Sequence, residues 1–457
     1  MFTNTRFYFL LLGALCLSRV ANAQATGTIH GTVFDNSGAI VAGAQVSAIS
    51  LQTNQPRTTV SDSAGEYILP LLPAGGYTVR ITYTGLAPFV QNNVTLQANT
   101  NVEVDAKLNV ASATEIVNVS ASPTMVQTST TNLVQVVDQQ RIVDLPLNGR
   151  NVLQLIALNS GVADRGAAGG TIQVNTFGTG QYHFSASLNG SRGNATNFLL
   201  DDADNNDDFT KVAHPYPNPD AVAEVSVQSS TFDAQYGRGV GGVVNVVTRS
   251  GSNQIHGSAF EFLRNYELNA ANFFSGRDAL KRNQFGMSAG GPVILPKLYN
   301  GKDHTFIFGS YQGTRNRSAT PGALATAPSG AMKQGDLSAF LRTDGVGAIK
   351  DPASSGAYFP NNQIPASRFD PISAKLLAVM PASSAANYQL RYGTPTNSTE
   401  DNQMLLRGDQ ILSDKQRISV RYFLLHYNQP WVFLPSNLYY VSAGQYGKAQ
   451  NVTVSHT

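Results

Sequence analysis

The sequence predicts a mainly β protein with three parts: an N-terminal β-sandwich, an α+β domain, and the first part of an antiparallel transmembrane β-barrel. Apolar and polar residues alternate in short runs along most of the chain, as expected for half-buried strands. Charged residues make up 13% of the sequence, whereas soluble domains average about 25%. No segment after the leader has the length of a transmembrane helix, so the exported chain is either soluble or enters a membrane as strands.

Residues 1–23 are predicted to be a signal peptide that is removed on export. Arg6 precedes an apolar run over residues 7–17, and Ala21 and Ala23 place small side chains at the two positions that a signal peptidase reads. The run is too short to span a bilayer, which takes about 20 residues. Because Cys16 is the single cysteine and lies in this leader, we expect no disulfide or cysteine metal site in the exported chain.

Residues 24–110 are predicted to form the sandwich. Turn-forming stretches at residues 35–38, 61–65 and 73–76 separate alternating runs at a spacing typical of this architecture. This region resembles carboxypeptidase regulatory-like domains, which implies a transthyretin-like, carbohydrate-binding-like fold, through the motifs Gly31-x-Val33-x-Asp35, Asp62-x-x-Gly65-x-Tyr67 and Pro73-x-Gly75-x-Tyr77. The HxxE and HExxH motifs of a zinc peptidase are missing from the chain, so the metal ligands of a peptidase are not present.

A short segment of alternating β-branched residues follows at residues 111–121. It is similar to the TonB box of TonB-dependent outer-membrane receptors, the strand through which the periplasmic protein TonB pulls on a plug domain. Such a segment can add a strand to a partner's sheet edge, with backbone hydrogen bonds providing the affinity. The alternative is an ordinary last strand of the sandwich. The predicted TonB-coupling residues are Glu115, Ile116, Val117, Asn118, Val119, Ser120 and Ala121.

Residues 122–251 are predicted to form the plug domain of such a receptor. The string LPLNGRNVLQLIALNSGV at residues 145–162 predicts one or two helical turns and resembles the plug opening of the Oar-like branch of the family. The string FLLDDADNND at residues 198–207 resembles the next block of that branch. Asp202 stands where the branch usually has glycine, which leaves the local turn geometry open.

The acidic block at residues 198–207 also has some features of a calcium loop. Asp202, Asp204 and Asn206 have the first three ligand spacings of such a loop. Asp207 and Ala213 replace the glycine and the bidentate glutamate that calcium binding needs. We therefore expect a solvated acidic loop that faces the barrel interior, with a calcium site as the alternative. No other metal and no cofactor is predicted.

A glycine-rich block ends the predicted plug domain. Its letters match the GxGxxG dinucleotide motif, which requires a helix after the glycines. Residues 243–248 are instead a β-branched run and predict a strand. The block resembles the end of a receptor plug, where a glycine-rich turn enters a last strand and a short link then enters the barrel. The predicted plug–barrel junction residues are Gly237, Gly239, Gly241, Gly242, Arg249 and Gly251.

Residues 252–457 are predicted to form part of a barrel. On one candidate strand, Phe285 and Met287 would face lipid while Gln284 and Ser288 would face the lumen. The same stretch spells GxSxG at residues 286–290, but a nucleophile elbow needs a strand-to-helix turn, and the chain continues as a strand. A long loop is predicted at residues 314–402, on the extracellular side, with one helix that is capped by Asp370.

The length after residue 251 limits the size of this barrel. Plugged outer-membrane transporters use about 22 strands, and each spanning strand takes about 9–11 residues. Residues 252–457, less the long loop, have room for roughly six to eight strands. We therefore expect an N-terminal fragment of a longer receptor.

Taken together, these resemblances imply a non-enzymatic receptor in the outer membrane of a Gram-negative-type bacterium. It would bind an extracellular ligand, with carbohydrates and peptides as candidates, and import it with energy from TonB and its inner-membrane proton-driven complex. The alternatives are a non-transporting outer-membrane surface protein that binds polysaccharide or mediates adhesion, and a periplasmic β-rich binding protein. The net charge of +2, without a Lys/Arg cluster, argues against a nucleic-acid partner.

Overall fold

Strands dominate the architecture, as the alternating sequence predicts. The computed structural model describes residues 26–110, 117–119, 133–163, 186–209, 211–230, 232, 235–237, 239–271, 273, 277, 279–318, 323–341, 347–392, 397–430, 432–433, 441–442 and 444–457. The predicted signal peptide lies outside these residues. Among the residues that are described, no helix is both long and apolar enough to cross a membrane.

The sandwich domain consists of two sheets that face each other across an apolar core. One sheet has the order β4-β1-β7, with β8 also paired to β1, and the other has the order β3-β2-β5-β6-β9. Alternate residues of each strand point inward, and Ile29, Leu72 and Ile81 are fully buried. The predicted sandwich is thus confirmed. Its strands are β1 (Thr26–Asp35), β2 (Gln45–Ser50), β3 (Pro56–Val60), β4 (Glu66–Pro73), β5 (Gly75–Thr82), β6 (Phe89–Leu96), β7 (Asn101–Glu103), β8 (Ala106–Leu108) and β9 (Val117–Val119).

We call residues 133–251 the plug domain, after the resemblance given above. Its sheet has the order β10-β15-β16-β13-β14, and β13 and β16 are buried along their whole length. The predicted helical turns at residues 152–158 are a 3-10 helix that Asn151 caps and that packs into the core. The elements are β10 (Leu133–Asp138), α1 (Gln139–Asp144), β11 (Val162–Ala163), β12 (Ser187–Leu188), β13 (Thr196–Leu200), β14 (Ala203–Asp204), β15 (Val222–Ser230) and β16 (Gly242–Thr248).

The third part is an antiparallel sheet, the barrel sheet, with the order β17-β18-β21-β24-β25-β28. Gln284 and Ser288 are buried on its plug side, whereas Met287 is 62% exposed on the opposite face, as the alternation predicts. The six long strands agree with the predicted room for six to eight. The strands of this region are β17 (His256–Asn265), β18 (Lys281–Pro292), β19 (Ile294–Leu295), β20 (Tyr299–Asn300), β21 (Thr305–Ser318), β22 (Ala323–Thr326), β23 (Gln389–Tyr392), β24 (Asn397–Ser413), β25 (Gln416–Gln429), β26 (Val432–Phe433), β27 (Val441–Ser442) and β28 (Gln445–His456).

The long loop is shorter than the predicted residues 314–402, because β21 continues to Ser318 and β24 begins at Asn397. Arg315 pairs with Glu400, and Arg317 with Ser398. Polar side chains do not end an antiparallel pair, since the ladder is held by backbone hydrogen bonds. Helices α2 (Gly330–Lys333) and α3 (Pro371–Val379) lie in this loop, and Asp370 caps α3 as predicted.

Candidate functional site: the junction of sandwich, plug and barrel sheet

The glycine-rich block leads into the central plug strand β16. This strand pairs in parallel with β13 and antiparallel with β15. At Gly242 the backbone has a φ of +147°, and a Cβ atom would lie 2.5 Å from Leu188 Cδ1 and 2.6 Å from Gln228 O. Only glycine fits such a position. The prediction that a strand, not a nucleotide-binding helix, follows these glycines is confirmed.

The other junction glycines differ in their surroundings. A Cβ atom at Gly239 would lie 2.3 Å from Ala195 O, and one at Gly241 would lie 2.4 Å from Ser191 Oγ. At Gly251 a Cβ atom would lie 2.6 Å from the carbonyl oxygen of Ile307 on β21, so the link passes directly against the barrel sheet. At Gly237 a Cβ atom would meet open space.

Asp201, in the turn after β13, connects the plug domain to the barrel sheet. Its Oδ2 atom lies 2.6 Å from Nε of Arg421, and its Oδ1 atom lies 3.5 Å from Nη1 of Arg407. The backbone N–H of Thr248 donates to Oδ1 at 2.7 Å, which fixes the carboxylate against the end of β16. The Asp201 side chain is 11% exposed, and those of Arg407 and Arg421 are 8% and 3% exposed. Buried charges of this kind require paired, well-bonded partners.

A second carboxylate, Asp409 on β24, extends the same network. Its side chain is fully buried and pairs with Arg407 at 3.1 Å and with Arg417 at 2.8 Å. Ser419 Oγ donates to Asp409 at 2.6 Å, and so does Ser250 Oγ of the plug–barrel link. Charge-assisted hydrogen bonds therefore join the link and two neighbouring barrel strands.

Arg150, from the NGR motif, forms a separate plug–barrel contact. Its guanidinium pairs with Asp220 and donates to Gln312 Oε1 on β21 at 3.0 Å. It also lies 4.2 Å and 4.5 Å from the ring centroids of Phe260 and Phe262 on β17, which is cation–π distance. Burial lowers the pKa of Arg150, and the Asp220 carboxylate opposes that change.

The predicted junction residue Arg249 lies beside this contact. Its backbone N–H donates to Ala221 O at 2.9 Å. Its Nη1 donates to the carbonyl oxygen of Asp220 at 3.2 Å, and its guanidinium lies 5.3 Å from the ring centroid of Phe308. Arg249 therefore joins the end of the plug domain to the lumen side of β21.

The sandwich domain docks on the plug domain through the buried carboxyl group of Glu224 and the amide of Asn99. The backbone N–H of Ala98 donates to Glu224 Oε1 at 2.7 Å, and Tyr236 donates to Asn99 Oδ1 at 2.8 Å. Burial raises the pKa of Glu224 to about 7, and the nearby Asp202 adds to the rise. Burial, together with the neighbouring Asp201, likewise raises the pKa of Asp202 to about 7.

The sandwich domain also contacts the turns at one end of the barrel sheet. Gln55 donates to the carbonyl oxygen of Asp303 at 2.9 Å, and the backbone N–H of Asn253 donates to Gln52 O at 3.0 Å. Arg57 donates to the carbonyl oxygen of Asp414, in the β24–β25 turn, at 2.5 Å. The sandwich therefore bridges the plug domain and the barrel sheet.

The candidate calcium residues have separate partners. Asp202 accepts from Asn245 at 2.6 Å, Asp204 accepts from the side chain of Asn206 at 2.5 Å, and Asn206 accepts from the backbone N–H of Phe198 at 2.9 Å. In the part of the chain that the structure describes, no group of three or more His, Cys, Asp or Glu side chains could hold a metal ion. The expected solvated loop is realised at Asp204, which is exposed, but Asp201 is buried by its ion pairs.

The predicted TonB-coupling segment is described only at Val117, Asn118 and Val119. These residues form β9, which pairs in parallel with Phe89–Gln91 of β6 and extends the sandwich sheet. The predicted residues Glu115, Ile116, Ser120 and Ala121 lie outside the described residues. The pairing agrees with both sequence interpretations, since an extended segment on a sheet edge is a strand in either case.

The serine of the GxSxG string lies within a strand. Ser288 is in the middle of β18, and its Oγ atom lies 2.9 Å from Ser258 Oγ on β17. A nucleophile elbow would place this residue at a strand-to-helix turn. The prediction that the chain remains extended here is confirmed.

Arg407 and Asp409 are site residues that none of the sequence motifs identifies. Both lie on the lumen-facing side of β24, the same side as the buried Leu405. Because the chain carries few charges, an arginine and an aspartate two positions apart on one strand face were a usable signal for a buried network.

Three family models match consecutive parts of the chain. A carboxypeptidase regulatory-like domain matches residues 28–109, a TonB-dependent receptor plug domain matches residues 126–244, and an outer membrane beta barrel domain matches residues 247–457. Their order is the order of the sandwich, plug and barrel sheet.

Among curated proteins, the chain is similar to the TonB-dependent transporter Oar of Myxococcus xanthus, with 28% identity over 326 residues, which cover 68% of this chain. The chain spans 29% of the length of that relative. Among solved structures, it is similar to the outer membrane transporter YddB from Escherichia coli, with 11% identity and a TM-score of 0.38 over 65% of this chain and 33% of that one. It is also similar to a Streptococcal ancillary pilin, with 17% identity and a TM-score of 0.17 over 19% of this chain and 33% of that one.

Proposed function

Because the chain belongs to the TonB-dependent outer-membrane receptors, we propose that it binds a ligand outside the cell and imports it with energy from the inner membrane. TonB engages the segment that contains Glu115–Ala121, and the resulting force rearranges the plug domain so that the ligand passes. This proposal applies to the complete receptor, since the similar transporter Oar is longer than this chain.

The observation that carries the proposal is the polar character of the plug–barrel contact. Asp201, Thr248 and Ser250 hold the plug domain and its link to the barrel sheet through ion pairs and hydrogen bonds. Water can replace these bonds when the plug domain moves, whereas a large apolar interface would resist hydration. An attachment of this kind is firm at rest and can be released by a pulling force.

A pulling force would first reach the plug domain through its N-terminal strand. The segment at residues 111–121 is followed by β10, which is an edge strand of the plug sheet and pairs with β15. An edge strand is hydrogen-bonded to one neighbouring strand only, so it can leave the sheet without breaking a second ladder. The order β10-β15-β16 therefore suits stepwise opening from the TonB side.

Import can be tested in cells that produce the complete receptor, a receptor that lacks residues 115–121, or no receptor. The probe is the set of solutes that each strain removes from a defined mixture of oligosaccharides and peptides. We expect at least one solute to be removed only by cells with the intact receptor and only without a protonophore. Equal removal by the deletion variant would contradict the TonB-coupled mechanism. If the cells with the intact receptor remove the same solutes as the receptor-free cells do, the receptor does not import a solute from this mixture, which would contradict import.

A further inference from the structure

A cavity of about 390 Å³ lies where the sandwich, plug domain and barrel sheet meet. The sandwich contributes Gln52, Arg57 and Tyr77 to its wall, and the plug domain and its link contribute Asp201 and Thr248. The barrel sheet closes the other side. This volume is within the range of small-molecule pockets, which is about 300–1,000 Å³.

The wall of this junction cavity carries an excess of positive charge. Among the described residues, the cationic side chains that line it are Arg57, Arg249, Arg407, Arg417 and Arg421, and the lining acidic side chains are Asp201 and Asp414. Asp409 lies behind the wall and pairs with two of these arginines. Five guanidinium groups thus face three carboxylates, and an anion in the cavity would be attracted.

Two of the arginines donate hydrogen bonds to neutral carbonyl oxygens. Arg57 donates to the carbonyl oxygen of Asp414, and Arg249 donates to the carbonyl oxygen of Asp220. The carboxylate of Asp220 forms an ion pair with Arg150 and is shared electrostatically with Arg249, so one negative charge faces two guanidinium groups. Positive charge therefore remains on both the sandwich side and the plug side of the cavity.

Two buried N–H groups in the wall also need acceptors. Within the described residues, Nε of Arg417 and Nη1 of Arg421 have no hydrogen-bond partner. The Arg421 side chain is 97% buried, since its exposure is 3%. A buried donor of a charged group that lacks an acceptor is costly, so a ligand with oxygen acceptors would satisfy these two N–H groups.

We propose that the junction cavity binds an oxyanion group, namely a carboxylate, phosphate or sulfate, with Arg57 and Arg417 as principal ligands. In the import cycle this group belongs to the ligand, which reaches the cavity after it passes the plug domain and is released when the sandwich undocks. The role in import rests on the proposed function. The anion site itself does not, because its chemistry is independent of TonB.

The site can be tested by calorimetric titration of the purified complete receptor with sodium phosphate, sulfate or acetate, at an ionic strength held constant with chloride. We expect saturable binding of at least one of these probes. Arg57→Gln and Arg417→Gln should each weaken it at least tenfold. Lys415→Gln is the matched control, because Lys415 is exposed in the neighbouring turn, does not line the cavity and carries the same charge.

Three results would overturn the proposal: no saturable binding to the unmodified receptor, an unchanged affinity in both arginine variants, or a loss in the Lys415 variant as large as that in the arginine variants. If Arg417→Gln fails to fold because it disturbs Asp409, Arg57→Gln decides alone, since Arg57 lies in the sandwich. Loss of anion binding with normal uptake would refute this site only. Normal anion binding with uptake that does not need residues 115–121 would refute the coupling mechanism only.

Discussion

Nε of Arg421 on β25 lies 2.6 Å from Oδ2 of Asp201, and this ion pair joins the barrel sheet to the plug domain. The same carboxylate accepts from Thr248, so the end of β16 and the turn after β13 are held together at the barrel wall. The pair is buried, and its energetic effect depends on both partners being present.

The first prediction concerns Asp201→Asn. This variant leaves Arg407 and Arg421 buried without their plug-side counter-charge, which should cost about 3–5 kcal/mol. A cysteine introduced at the fully buried Ser226 provides the measurement, because its reaction rate with a maleimide in urea reports opening of the plug domain. We expect faster labelling in the Asp201 variant. The exposed Asp204→Asn is the control, and equal rates in the two variants would contradict the role of Asp201.

The second prediction concerns the pH dependence of sandwich docking. The pKa of Glu224 is about 7 in the docked state, against an ordinary value of 4.5. Relative to a hydrated carboxyl group, the docked structure therefore favours the protonated acid, although the hydrogen bond from Ala98 opposes part of the shift. The stability of this buried arrangement is fully present below about pH 4.5 and is lost as the pH rises through 7. Asp202, whose pKa is also raised to about 7, acts in the same direction. Hydrogen exchange of residues 97–100, corrected for intrinsic rates, should show more protection at pH 5 than at pH 8.

Glu224→Gln separates this effect from general acid stabilisation. Glutamine keeps an acceptor for the Ala98 N–H but carries no charge at any pH. We expect the variant to lose much of the pH dependence and to retain protection at pH 8. Glu66→Gln, on an exposed position of the sandwich, should behave as the unmodified protein does. An unchanged pH profile in the Glu224 variant would show that another group controls docking.

The third prediction compares two glycines of one motif. Gly242→Ala places a Cβ atom 2.5 Å from Leu188 Cδ1 in a backbone conformation with a φ of +147°, whereas at Gly237 the added atom meets nothing within 4 Å. Strain of this kind costs on the order of 1–3 kcal/mol, and the steric overlap adds to it. The yield of folded receptor, read from its heat-modifiable mobility on gels, should fall for Gly242→Ala only. A similar yield for both variants would remove the packing argument.

The fourth prediction concerns Arg150→Lys. Lysine keeps the charge opposite Asp220, but it lacks the planar group that contacts Phe260 and Phe262 and also bonds Gln312. We expect a loss of about 1–2 kcal/mol in plug attachment, measured with the same Ser226 cysteine. The side chain of Arg141 is 68% exposed, so the control substitution Arg141→Lys should have no effect. If the two substitutions were equivalent, charge alone would explain the Arg150 contact.

The strands could be predicted from the sequence because their signal is local. The β-branched run at residues 243–248 predicts β16, and the Asp370 cap followed by Pro371 predicts α3. Both features depend on neighbouring residues alone. For the same reason, the alternation around Gln284 predicts which face of β18 the plug domain covers.

The Arg407 and Asp409 spacing on β24 signals a buried network, but its plug-side partner could not be predicted in this way. Asp201 lies in a stretch whose sequence predicts a turn, and its partner Arg421 is distant along the chain. The ion pair between them depends on the register of β24 with β25 and on how the plug domain docks. A one-residue change in register would turn Arg421 to the lipid face. Likewise, the contact between Ala98 and Glu224 depends on how two separate domains meet, and no local pattern encodes that arrangement.

We propose that TonB engages the segment at residues 115–121 as an added strand. The most direct measurement is calorimetric binding of the periplasmic domain of TonB to the complete receptor, to the double variant Val117→Pro and Val119→Pro, and to the double variant Val117→Thr and Val119→Thr. Proline removes backbone N–H donors, whereas threonine keeps them and also favours strands. We predict binding to the unmodified receptor and the threonine variant, with loss of binding in the proline variant. Equal binding to all three proteins would show that TonB does not add a strand at this segment.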